Sequence, residues 1–185
     1  MSNIVRKCHL LHVCCAPDLV ISYLAGARGD LFFYNPNIHP QQEYEKRLNE
    51  VLRLAKLWDL DIISVEYEPS DFFERLAGSE AGIEAEPEGG KRCEICFRLR
   101  LEKCAEVVKK SGYASFSTTL TASPKKNVQL INNFGIEVSE DTGTMYLPNI
   151  YRKSILYNDA QKLINQLGIY RQGYCGCAFS ISTPY

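Results

Sequence analysis

The sequence predicts an α/β protein, a three-layer sandwich built on a mostly parallel sheet. Two observations lead there. Short apolar, β-branched runs alternate with longer segments of helical periodicity, the rhythm of successive strand–helix–strand units. No internal repeat or low-complexity tract interrupts that rhythm, and 185 residues suit one domain spanning 1–185 with a real core.

The elements follow in order. Residues 9–14 read as a buried strand, and residues 17–27 as a short helix with Pro17 in its first turn. Residues 31–34 form a second strand. Residues 41–58 are helical, with Tyr44, Leu48, Val51, Leu52, Ala55 and Trp58 at helical spacing. A third strand with β-branched alternation covers 61–67. Residues 78–92 begin rich in Gly, Glu and Ala and read as a mobile loop or the entry to a small subdomain. Helical spacing returns over 92–110, strand character over 114–120, and a helix is expected over 124–134. Residues 135–150 are rich in turn formers, 154–167 read as a last helix, and the aromatic and Cys-containing tail 168–185 is expected to pack back onto the domain.

Hydrophobic residues make up 45% and charged residues 23%, the balance of an ordinary globular protein. The formal net charge of −1 excludes a broadly basic nucleic-acid binder, so any RNA contact must use local patches. Lys91–Arg92, Lys109–Lys110, Lys125–Lys126 and Arg152–Lys153 are the pieces available; any one pair alone is better read as solvated surface charge. The opening residues 1–7 are polar, unlike a signal peptide, and no stretch approaches the roughly 20 apolar residues of a membrane span. A cytoplasmic protein is expected, without a membrane partner. In a reducing compartment its eight cysteines point to metal binding or redox chemistry rather than disulfides.

Six of the eight cysteines fall in three tight groups: Cys14-Cys15, Cys93-x-x-Cys96 and Cys175-Gly176-Cys177. The first sits where strand one should give way to a helix, at the sheet edge where open α/β folds bind ligands. The helix dipole there favours thiolate over thiol. The second leads into a helix, and its spacing lets two sulfurs reach one metal or cluster. In the third, Gly176 permits a tight bend. A closed structural zinc site needs four ligands and leaves two thiols unexplained. A dithiol oxidoreductase would use only Cys93 and Cys96. A four-iron cluster takes four cysteines, and the two left over, with Asp18, could hold a second metal. Asp18 also suits a helix first turn with no metal at all. Cys8 and Cys104 read as unligated core thiols, and His9 and His12 as satisfied core groups.

Other signals are weaker. Residues 35–40 follow strand two at the same sheet edge, where His39 reads equally as a loop histidine or an acid. Residues 118–125 run from strand to helix start; their hydroxyls and amides could bind an anion, although Ser123 suits a plain cap.

Assembled, these pieces resemble the QueH family of epoxyqueuosine reductases. The resemblance rests on Leu10-Leu11-His12-Val13-Cys14-Cys15-Ala16-Pro17, residues 35–44, Arg92-Cys93-x-x-Cys96, residues 118–125, and Tyr170-Arg171-Gln172-Gly173-Tyr174-Cys175-Gly176-Cys177. It covers essentially the whole chain. One departure is expected: many members should read CCAPC at the first motif, and here Asp18 stands in the last place. The resemblance implies a sheet similar to the nucleotide alpha-hydrolase (HUP-like) fold. It implies reduction of epoxyqueuosine to queuosine in the tRNA anticodon loop, the last step in making that base. It further implies a [4Fe-4S] cluster beside a mononuclear iron, an external electron donor and no cobalamin. The cysteine motif occupies the place of the Gly-rich pyrophosphate loop of relatives of that fold, so no ATP is expected.

On this resemblance Cys15, Cys93, Cys96 and Cys175 are assigned to the cluster, and Cys14, Cys177 and Asp18 to the lone iron, where the epoxide oxygen would bind as to a Lewis acid. Cluster electrons would then cleave the carbon–oxygen bond. Tyr34, Asn35, His39, Tyr44, Lys125, Arg171 and Tyr174 are candidates for holding a splayed base and its phosphates.

Overall fold

The structure is a computed structural model and describes residues 8–181. The polar opening segment 1–7 and the last four residues of the tail lie outside the described residues. Four strands form one parallel sheet in the order β3–β2–β1–β4, namely β1 Leu10–His12, β2 Asp30–Phe33, β3 Ile62–Ser64 and β4 Phe116–Thr118. The register pairs Leu11 with Leu31 and with Ser117, and Phe32 with Ile63. Six helices accompany it: α1 Ala16–Leu24, α2 Gln41–Leu57, α3 Ser70–Ala77, α4 Lys91–Ser111, α5 Val128–Thr142 and α6 Tyr157–Gln166.

Strands β1 and β2 are buried on both faces because both are covered. Leu11, Val13, Leu31 and Phe33 pack with residues of α1, α2 and α6. The alternate positions Leu10, Phe32, Tyr34 and Phe116 pack with residues of α3, α4 and α5. Two core layers thus sandwich the sheet, as the three-layer prediction requires. His12 breaks the apolar run harmlessly: its Nδ1 meets Thr118 Oγ1 at 2.8 Å and its Nε2 meets the Tyr34 carbonyl at 3.1 Å. His9 is likewise satisfied by Ser115 and Ser117, both at 2.8 Å.

Several boundaries differ from the sequence reading, each for a physical reason. Strands β1, β3 and β4 are shorter than expected and β2 is shifted by one residue; β1 ends at His12, where residues 13–15 turn at the sheet edge. Helix α3 has no counterpart in the sequence reading; only Phe72 and Leu76, one turn apart, are buried there. The loop before α4 contains a 3-10 turn, Ile83–Ala85, anchored by buried Ile83, and Lys91 and Arg92 already belong to α4. The helix expected over 124–134 starts at Val128 and runs on to Thr142. Asn127, rather than Ser123, caps it by accepting from the Leu130 N–H at 3.2 Å. Upstream, Arg152 Nη1 donates to the carbonyls of Ser123 and Lys126, at 3.1 and 2.8 Å, and holds 123–127 as a turn. Gly135 does not end α5; a Cβ there would sit 2.3 Å from Tyr146 Cε1, so glycine admits that ring against the helix. Cys8 is exposed, unlike Cys104, which is fully buried in the core as expected.

Among the described residues, no helix is long and apolar enough to cross a membrane.

Candidate metal and redox centre

The chain runs from β1 outward through β2 to β3 and then crosses to β4 on the other side of β1, so the strand order reverses between β1 and β4 and a crevice opens at their carboxyl ends. The loops after these two strands meet there. The Cys14 N–H donates to Thr119 Oγ1 at 3.2 Å, and Thr119 follows β4 directly. Cys15 is the extended residue before α1, and Pro17 occupies the first turn, as the sequence indicates.

One cavity opens at this point, and all six grouped cysteines line it. They arrive from three distant parts of the chain: the β1–α1 turn, the first turns of α4, and the tail.

The β1–α1 thiols form one neighbourhood with Asp18, and the thiols of α4 and the tail line the rest of the cavity. Cys14, Cys15 and Asp18 offer ligand atoms within 4.8 Å of one another. Cys14 Sγ lies 3.8 Å from Cys15 Sγ and 3.0 Å from Asp18 Oδ2. Asp18 is not on the cavity wall itself and meets it through Cys14. Burial, and then the neighbouring sulfur, push both the Cys14 thiol and the Asp18 carboxyl well above their ordinary pKa. Among the thiols of α4, burial raises Cys93, and raises Cys96 to about 11. The Cys177 N–H donates to Cys175 Sγ at 3.4 Å. A hydrogen bond from the Cys177 thiol pulls Cys175 down to about 6, while the same contact and burial raise Cys177.

Cations surround these sulfurs. Arg47, Arg92, Arg100 and Lys126 all line the cavity, and the first three are almost fully buried. Burial works against the charge on Lys126, but the nearby Asp18, Cys14 and Cys15 outweigh it and hold its pKa above the usual lysine value. Arg47 bonds Glu43 at 2.7 Å and donates to the carbonyls of Cys175 and Tyr174, both at 3.0 Å. It thereby pins the tail to α2. Gly176 lies at φ +104°, and a Cβ there would meet Arg47 Nη1 at 2.9 Å, so the CGC spacing needs its glycine. The His39 N–H donates to the Gly176 carbonyl at 2.8 Å, and Tyr170 Oη donates to Glu43 at 3.0 Å. The described part of the tail therefore packs on the site.

Of the predicted substrate residues, Asn35 and Lys125 line the cavity. Five do not. Tyr34 is buried, with its hydroxyl on Asp71 at 2.6 Å, and Tyr44 Oη reaches the Val65 carbonyl at 3.1 Å. Their rings are spent on the core. His39 sets its ring edge against Phe73, and Tyr174 Oη donates to the His39 carbonyl. Arg171 reaches Gln161 and Asn165 on α6, at 2.9 and 3.2 Å. Conversely, the sequence reading did not single out Asn37, Arg47, Arg100, Asn127 or Gln172, which line the cavity. Gln172 Nε2 donates to Cys15 Sγ at 3.1 Å. Its position within the Tyr170–Cys177 motif was the available signal; nothing marked Arg47 or Arg100 among the chain's 21 basic residues.

The donor set could hold a metal cluster: six thiols and a carboxylate gather beside several cations that can offset thiolate charge. Two buried acceptors in the cavity region, Asn37 Oδ1 and Gln172 Oε1, have no partner, which a protein does not normally leave so.

Fold and site thus define a class: a parallel α/β protein carrying a polythiol centre at its topological switch point. A family model described as epoxyqueuosine reductase QueH matches residues 9–183. An epoxyqueuosine reductase QueH of Thermotoga maritima is 41% identical over 172 residues, covering 93% of this chain and 89% of that protein. Proteins of the same name from Staphylococcus epidermidis and Streptococcus pyogenes are 38% and 36% identical; the matches cover 92% and 95% of this chain, and 75% and 71% of those proteins. The chain belongs to the QueH family.

Proposed function

We propose that this chain is an oxidoreductase that reduces epoxyqueuosine in tRNA to queuosine, in the cytoplasm and with an external electron donor. The observation that carries this reading is the convergence of six cysteines from three segments on one cavity at the switch point. The overall change is an epoxide plus two electrons and two protons going to an alkene and water.

The residues would hold a [4Fe-4S] cluster and an adjacent iron, with no cobalamin and no ATP. When bound, these supply electrons singly and an open Lewis-acid position. Proximity favours Cys14, Cys15 and Asp18 for the single iron, which leaves Cys93, Cys96, Cys175 and Cys177, all on the same cavity, for the cluster. That division exchanges Cys15 and Cys177 relative to the sequence expectation. Arg92, Arg100 and Lys126 balance the thiolate charge. Lys126 keeps a proton on Nζ at the cavity wall, suitably placed for a departing oxygen. Asn37, Asn127 and Gln172 present amides to a substrate base, while Asn35 lines the cavity with its amide already bonded within the protein. Lys125, exposed at the rim, faces outward where tRNA phosphates would pass.

The rivals are not favoured. Six thiols on one cavity exceed both a closed four-ligand zinc site in an RNA-binding protein and the two thiols of a dithiol oxidoreductase. The test is turnover by anaerobic, iron- and sulfide-reconstituted protein given dithionite and tRNA bearing epoxyqueuosine. Digestion and mass measurement should show the modified nucleoside lighter by one oxygen. An unchanged nucleoside with fully loaded protein would overturn the reading.

A further inference from the structure

Among the described residues, Arg100 is a buried cation that forms no ion pair with a carboxylate. It is 4% exposed and projects from α4 towards the sheet edge. Its Nε donates to the Cys96 carbonyl at 3.1 Å, its Nη1 to Asn35 Oδ1 at 3.3 Å, and its Nη2 to Cys96 Sγ at 3.2 Å. None of these acceptors is a carboxylate. Arg92 repeats the pattern at 2% exposure, with a carbonyl and a hydroxyl as acceptors and its Nε unpartnered. A guanidinium is kept in such a place only when something negative compensates it. The one acceptor of Arg100 able to become negative is Cys96 sulfur.

We propose that Arg100 sets the reduction potential of the cluster held by these cysteines, by donating a charged hydrogen bond to the Cys96 ligand. The inference rests on the iron–sulfur reading above and holds for either division of the cysteines, because Cys96 is a cluster ligand in both. Reduction adds one electron from the external donor to the cluster, with no bond made or broken, and increases the negative charge on its sulfurs. A fixed cation hydrogen-bonded to one of them stabilises the reduced state more than the oxidised one and raises the potential. Asn35 is the positioning residue. Its Oδ1 accepts from Arg100 while its Nδ2 donates to the Val13 carbonyl at 2.9 Å, tying the guanidinium to the strand end that carries Cys14.

The test is a spectroelectrochemical titration of the anaerobic holoprotein, with iron and sulfide counted in each sample. Wild type is compared with Arg100→Gln, Arg100→Lys and Asn35→Asp. The last leaves Arg100 in place but sets a carboxylate against it. The midpoint should move to more negative potential in Arg100→Gln and Asn35→Asp, and by less in Arg100→Lys, with the cluster retained. Wild-type midpoints in Arg100→Gln and Asn35→Asp would overturn the proposal. Should Arg100→Gln fail to fold or to hold a cluster, Asn35→Asp and Arg100→Lys decide in the same way. Wild-type protein that takes up no iron or sulfide overturns the iron–sulfur reading itself, a result distinguishable from an unmoved potential.

Discussion

The Cys14 thiol lies 3.0 Å from Asp18 Oδ2, four residues further along the chain, with Cys15 beside them. The pair faces the cavity through sulfur and leans on the carboxylate from behind. Asp18→Ala should therefore leave the four-iron signal intact while removing the separate iron and at least about 100-fold of activity, the scale usual for a lost metal-site partner. Iron analysis with Mössbauer spectra and the tRNA assay check this. Full activity in the variant would show that Asp18 is not needed as a ligand.

A second expectation concerns the tail. Arg47 and Glu43 form a buried ion pair at 2.7 Å, with side chains 3% and 11% exposed, and Arg47 also holds the carbonyls of Tyr174 and Cys175. Arg47→Met should cost about 3–5 kcal/mol, as breaking one side of a buried pair does. It should also lower iron and sulfide uptake, because Cys175 and Cys177 lose their anchor. Urea unfolding of metal-free protein and metal analysis read the two effects separately.

Gly135 gives a sign reversal. Alanine in a helix interior is ordinarily better than glycine by about 1 kcal/mol. Here the new Cβ would fall 2.3 Å from the Tyr146 ring, itself bonded through Oη to Asn132 Oδ1 at 2.8 Å. Gly135→Ala should destabilise by about 1–3 kcal/mol, the usual cost of overpacking, and lower the melting temperature. A raised melting temperature would mean that Tyr146 moves aside freely.

The cysteines of the metal-free protein should not react alike. Hydrogen bonding from Cys177 holds Cys175 down at about 6, whereas burial lifts Cys96 to about 11. A lowered thiol pKa means a larger thiolate fraction at a given pH, so the Cys175–Cys177 pair carries more thiolate near neutral pH than Cys96 does. Brief alkylation at pH 7 followed by peptide mass spectrometry should label Cys175 well before Cys96, and the preference should fade below pH 6.

The sequence carried the sheet and the sulfur site well, because both depend on local signals. Apolar runs such as Leu31 to Phe33 mark strands covered on both faces, and three cysteine pairs stand out at any distance. It carried tertiary choices poorly. Gly135 reads as a break until the Tyr146 ring is seen to occupy its empty side. Pro124 reads as a helix start until Arg152 is seen to hold the turn before Asn127. Tyr34 and Tyr44 read as stacking platforms because their place beside the site was legible, whereas the direction of their rings was not. Arg100 and Arg47 escaped notice for the same reason: a buried guanidinium is defined by its partners, which lie up to 128 residues away.

The most direct test of the central claim is the iron, zinc and sulfide content of anaerobically purified protein, taken with its visible spectrum. The account predicts brown protein with about four sulfides and more than four irons per chain, as a thiolate-bound cubane with a separate iron requires. Colourless protein holding zinc and no sulfide would contradict it.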